Sequence, residues 1–377
     1  MKIAPMPVLA LLLAIAVAHS AIADRVSQKR PAPQVGGRDP LAQPFSSRSI
    51  WNMPIGSAAV FVDAGLNPRP GGNIWAGMPG IDGEQLFLDA GAPLTRIFYS
   101  SAAWSGLNRC MPTGGLMFTV PFPRDYLVAH SLRNSTAVFL MPDGRTLLQA
   151  QPLARCTAGE PGTAYVRFAD VDLYGDGIEG AHGGSGLSAI GGTIRLGELR
   201  PGQRTGPQHV LKVNVYAREA LYRCTSRPAC SRWPANTSDS YALGWYGSAG
   251  NNQNSAMKMG ALLAIPSSRS LASLGLETVP GKQLAWTLQN YGAYVVDDTH
   301  APGFDFAAEE GPQGSKQDEF RRDWGFDMAQ KVRADSPWVR DIQRLLRALH
   351  VVDNNRAGNV GGGGKPLRPL AAPVAPK

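Results

Sequence analysis

After its first twenty-three residues the sequence has no apolar run approaching the ~20 residues that a bilayer-spanning helix needs. It has no P-loop, no HExxH pair, no CxxC and no block of five or six consecutive basic residues. These absences argue against nucleotide-binding, zincin, zinc-ribbon and nucleic-acid-binding readings, and nucleic acid is not expected as a partner. Charged residues are only 18% of the chain, although the formal net charge is +8, and the Lys and Arg residues are scattered. Such a balance serves solubility, or it favours an acidic partner. Helical periodicity is also scarce. The segment HGGSGLSAIGG (182–192) invites a hydrolase reading, but neither Ser185 nor Ser188 has the GxSxG frame, because Leu187 and Ile190 occupy the closing positions.

What is present begins with Lys2, an apolar run from Val8 to Ala18 and Ala21-Ile22-Ala23. That order predicts a secretory signal peptide over 1–23, cleavage after Ala23, and a secreted or periplasmic protein without a membrane span. Four cysteines suit an oxidising compartment. The short spacing of Cys224 and Cys230 predicts one bridge and leaves Cys110 with Cys156. Residues 24–44 and the Gly/Pro-rich tail 356–377 read as flexible flanks of one folded domain over 45–355.

Within that domain, β-branched and aromatic runs recur between Gly, Pro, Asn and Asp: LTRIFY (94–99), GLMFTV (115–120), TAVFLM (136–141), TAYVRFA (163–169), GGTIRL (191–196), HVLKVNVYA (209–217), GALLAIP (260–266) and GAYVVDD (292–298). The pattern predicts a mainly β chain, an antiparallel sandwich or jelly roll. Helices are expected only in the C-terminal third, over Pro280 to Asn290 and over Ser336 to His350, where Ser336 caps and Pro337 takes the first helical position.

Chemistry is concentrated in three segments. DVDLYGDGIEGAH (170–182) supplies Asp170, Asp172, Asp176, Glu179 and His182 on a Gly-rich loop. Paired carboxylates there suit glycoside hydrolysis, or Asp170, Asp172 and Asp176 hold calcium, or the loop is a plain polar turn. No cofactor is otherwise required. The strand HVLKVNVYA alternates, with Lys212, Asn214 and Tyr216 opposite His209, Leu211, Val213 and Val215. Its polar face suits a sugar chain, or plain solvent. Finally, SRWPANTSDSYALGWYGSAGNNQN (231–254) offers Trp233, Tyr241, Trp245 and Tyr246 as stacking planes, with Arg232 and Asp239 as its ionisable members. At Asp297, Asp298 and His300 a strand ends, and alternation predicts that only one of the two carboxylates serves a site.

SIWNMPIG (49–56), GAHGGSGLSAIGGTIRLGEL (180–199), RWPA (232–235) and NYGAYVVDD (290–298) together resemble a broad group of exported bacterial β-rich proteins. The resemblance spans most of 45–365 and implies a bacterial source and one continuous domain; it brings no activity with it. The leading expectation is a polysaccharide glycosidase using Asp176, Glu179 and Asp239, with His182, His209 and Tyr241 beside them. A second is a lyase on an acidic polysaccharide, using Lys212, Arg232, His209 and Tyr241. A third is a carbohydrate-binding envelope protein without catalysis.

Overall fold

The computed structural model describes residues 37–67, 79–132, 134–250, 252–330 and 335–374. The predicted signal peptide, 1–23, and residues 24–36 of the predicted lead-in lie outside them. Strand takes 26% of the described residues and helix 16%, so the protein is mainly β. The strands are β1 (Phe61–Asp63), β2 (Pro79–Phe87), β3 (Leu94–Tyr99), β4 (Leu116–Pro121), β5 (Ala137–Leu140), β6 (Thr146–Gln151), β7 (Gly162–Ala164) and β8 (Val166–Arg167). They continue with β9 (Val171–Asp172), β10 (Glu179–His182), β11 (Leu211–Val215), β12 (Leu262–Ala264), β13 (Ala293–Asp298), β14 (Phe304–Gly311), β15 (Gly314–Ser315) and β16 (His350–Val352). The helices are α1 (Ala217–Ala220), α2 (Ala242–Trp245), α3 (Val279–Asn290), α4 (Lys316–Trp324) and α5 (Pro337–Ala348).

One large sheet runs β1-β16-β12-β13-β11-β14-β2-β5-β6-β8, and a small one runs β4-β3-β7. The large sheet is mixed where the turn spacing predicts antiparallel pairing. β11 runs parallel to β13, and β2 runs parallel to both β14 and β5. Parallel neighbours need crossovers longer than a tight turn, and the helices and long loops supply them. Leu211, Val213 and Val215 of β11 enter a core closed by Leu284 and Leu288 of α3, Phe320 of α4 and Ile342 and Leu345 of α5. A second core holds Trp51, Leu86, Val138, Leu187, Tyr294 and Val296, and a third joins the small sheet to β5 through Phe87, Phe118, Phe122 and Phe139.

The two expected helices form nearly where read: Thr278 caps α3 by accepting from Gly281, and Ser336 caps α5 by accepting from Val339. Both predicted disulfides, Cys110–Cys156 and Cys224–Cys230, are present. GGTIRL forms only an isolated bridge, Ile194 to Ala308. The chain from Arg356 to Val374, read from its composition as a flexible tail, is held against the N-terminal segment instead. Leu367 donates to Ile55, Lys365 to Ser57 Oγ, and Arg38 to Pro373. Glycine and proline content misled here because backbone hydrogen bonds, rather than an apolar stripe, fix this segment.

Candidate functional site

Strands β2 and β11, which flank β14 in the large sheet, carry polar side chains into the interior where apolar ones are normal. Glu84 is fully buried, and its Oε1 lies 2.5 Å from His182 Nε2 and 2.9 Å from Lys212 Nζ. Lys212 donates further to the carbonyls of Ser188, at 3.1 Å, and Ala189. A buried carboxylate is tolerable only with such partners. Burial pushes the Glu84 carboxyl up, but the Lys212 and His182 charges together pull it below the ordinary value. For His182, burial and the Lys212 charge work downward; Glu84 and the hydrogen bonds of Asp297 and Glu84 outweigh them and raise it to about 9.

Next to this trio, Asp82 Oδ2 accepts from Asn214 and Asn134, each at 2.8 Å, and Asn134 also reaches Asp297 Oδ2 at 3.3 Å. Burial and the nearby Glu84 charge raise the Asp82 carboxyl. Asp297 Oδ2 stands 3.6 Å from His182 Nδ1. A register shift between Val213 and Asn214 sets Asn214 opposite Asp297, skipping Val296. An extra residue of this kind re-aims the side chains after it. Asp297 therefore joins the polar cluster, and Asp298 serves it too, against the expectation from simple alternation.

Asp239 stands beside Asp297. Its Oδ2 accepts from the Tyr246 hydroxyl at 2.5 Å. Both Asp239 and Asp297 press against Gly184: a Cβ placed there would stand 2.5 Å from Asp297 Oδ1 and 3.2 Å from Asp239 Oδ2. Glycine is required because two carboxylates share the space a side chain would fill. Burial, reinforced by the Asp297 charge, raises the Asp239 carboxyl to about 7.

Outside the pair stands an aromatic shelf. The single turn of α2 places Trp245 one turn after Tyr241, which is 41% exposed, and turns Tyr246 inward. Trp245 Nε1 donates to Asp298 Oδ2 at 2.7 Å, and the Tyr241 hydroxyl reaches the same oxygen at 3.4 Å. His300 stacks on Trp245 at 4.8 Å with 17° between the planes. Its backbone is left-handed, φ 53°, and its N–H donates to Asp298 Oδ1, so one carboxylate fixes all three rings.

The structure thus gathers Asp239, Tyr241, Tyr246, Trp245, His182, Lys212 and Asn214 of the predicted residues. Lys212 and Asn214, expected on a surface that grips a chain, are instead buried, because β2 packs beside β11's neighbour and supplies Glu84 and Asp82 as partners. Tyr216 is also buried, with its edge toward Trp245. The rest stand apart in other partnerships. Asp170 pairs with Arg167 at 2.8 Å and Asp172 with Arg145 at 2.6 Å, while Asp176 accepts from its own loop at Ile178 and Glu179 is exposed. His209 binds Glu198 at 3.1 Å, Arg232 binds Asp353 at 3.1 Å, and Trp233 packs against the second core. Among the described residues, the one group of three metal-ligand side chains within 4.8 Å is Asp82, Glu84 and His182, not Asp170, Asp172 and Asp176.

Sequence reasoning missed Asp82, Glu84 and Asn134. PGIDGEQLF carries two glycines and two acids in nine residues, so it shows no strand alternation. The available signal was Lys212, whose alternating strand reads as half-exposed; once that strand is interior, its cation demands an acidic partner. Comparison with protein-family models, with curated proteins and with solved structures returns no match for this chain.

Proposed function

We propose that this protein cleaves glycosidic bonds of a polysaccharide outside the cytoplasm, with Asp239 and Asp297 as its carboxylate pair. The observation that carries the reading is their meeting across Gly184 beneath Tyr241, Trp245 and His300, with Asp239 raised to about 7. A carboxyl that keeps its proton near neutral pH can give it to a leaving glycosidic oxygen. Asp297, held by Asn134 and His182, is the base or nucleophile on the other side of the bond. The exposed ring of Tyr241, perpendicular to Trp245, offers a face on which a pyranose packs. Two disulfides and the N-terminal export signal support a secreted or periplasmic setting, and no helix among the described residues is long and apolar enough to cross a membrane. The architecture that fits this reading is a sandwich-like stack in which the small sheet covers β5, leaving the polar cluster on the large sheet.

The test is product release from a panel of neutral and acidic polysaccharides. Asp239→Asn and Asp297→Asn each lower release at least a hundredfold with unchanged circular dichroism. Full activity in both variants sinks the assignment. Retention of the polymer without shortening, by wild type and variants alike, identifies a binding protein instead.

A further inference from the structure

A cavity of about 490 Å³ opens where the two ends of the folded chain meet, lined by Arg38, Thr205, Gln208, Trp286, Tyr291 and Arg368 among others. This volume falls within the ~300–1,000 Å³ of small-ligand sites. It is separate from the carboxylate pair. Tyr291 lies two residues before β13 and Asp297 is the last but one residue of that strand, and the six steps from one to the other span roughly 20 Å.

Among the described residues no carboxylate lines this cavity, and neither of its arginines forms an ion pair with any of them. Arg38 is structural: its Nε donates to Ala372 at 2.9 Å, Nη1 to Gln43 and Nη2 to Phe45, each at 2.5 Å. Its charge remains in the wall nonetheless. Arg368 has no such commitment. Its guanidinium lies 4.8 Å over the Trp286 ring, and its Nε is buried with no hydrogen-bond partner among the described residues. A buried donor without an acceptor costs about 1–3 kcal/mol, so a site that keeps one invites an acceptor from outside. Arginine on an aromatic face is pre-set to meet a carboxylate in a bidentate fork. Thr205 and Gln208 stand ready for hydroxyls, and the Tyr291 ring adds an apolar wall.

We propose that this cleft is a second saccharide site, selective for a sugar unit bearing a carboxylate, with Arg368 as its anion-binding residue. The class of ligand rests on the polysaccharide reading above. The site gives the chain a hold on an acidic polymer away from the point of cleavage, which is a use for part of its net charge of +8.

Calorimetric titration of the full chain with trigalacturonate, neutral trigalactose and inorganic phosphate tests this. The titration is repeated on Asp239→Asn, so that binding is read independently of cleavage. Trigalacturonate binds saturably to both proteins, at least tenfold more weakly to Arg368→Ala, and with intermediate strength to Arg368→Lys. Gln208→Glu, an exposed substitution that leaves the core untouched, abolishes binding by supplying Arg368 with a carboxylate of its own. Trigalactose and phosphate give only dilution heats. The proposal is overturned if wild type does not bind trigalacturonate, if Arg368→Ala and Gln208→Glu bind as wild type does, or if phosphate or the neutral trimer binds equally well. None of those results touches the product-release test of Asp239 and Asp297.

Discussion

Glu84 and Lys212 are both fully buried, so each is tolerable only because of the other. Glu84→Gln leaves the ammonium without its counter-charge and costs about 3–5 kcal/mol. Replacing both, Glu84→Gln with Lys212→Met, costs less than the sum of the two single changes; chemical denaturation of the four proteins measures the coupling, and strict additivity refutes it. His182 titrates with them. Its folded value of about 9 stands above its ordinary 6.5, so its stabilising contribution is complete below 6.5 and disappears as pH rises through 9. Thermal melts from pH 6 to 10 show wild type losing its advantage over His182→Gln across that window. Gly184→Ala tests a different point. The added methyl meets the Asp297 and Asp239 oxygens, so activity falls at least tenfold with a small change in melting temperature. At this scale Asp239, Tyr241 and Trp245 were legible, as an acid among aromatics with no packing period. Glu84 and Asp82 were not, because their partners His182 and Asn214 lie 98 and 132 residues away in sequence.

Elements whose form is set locally were easiest to read. β3 occupies LTRIFY, and α5 begins after Ser336 with Pro337 in its first turn, as capping chemistry dictates. β2 and β14 were missed because an interior strand bearing acids is defined by its neighbours rather than by its own pattern. The helical layer depends on a buried joint of the same kind. Asp341 of α5 is fully buried and accepts from the N–H groups of Glu277 and Thr278, at 2.8 and 2.7 Å, and from the Thr278 hydroxyl at 2.7 Å. Asp341→Ala strands these donors at the start of α3 and lowers stability by about 2–4 kcal/mol. A loss under 1 kcal/mol in urea denaturation contradicts that role.

For the whole molecule, strand richness followed from composition, while the mixed pairing of the large sheet did not, since periodicity carries no information on strand direction. The path of the chain brings β2, the segment before β5 that carries Asn134, the end of β10 with the loop after it, β11, the α2 segment and the end of β13 to one place, and six distant segments there contribute one polar cluster. In the function proposed for this cluster, Asp239 delivers a proton to the scissile bond. The most direct measurement is the pH profile of product release. With the Asp239 proton held to about 7, activity persists below that value and falls as pH rises through it, and Asp239→Asn removes both the activity and that limb of the profile. A profile that stays flat through pH 7 to 9, or an Asp239→Asn protein that keeps the wild-type alkaline limb, contradicts the account.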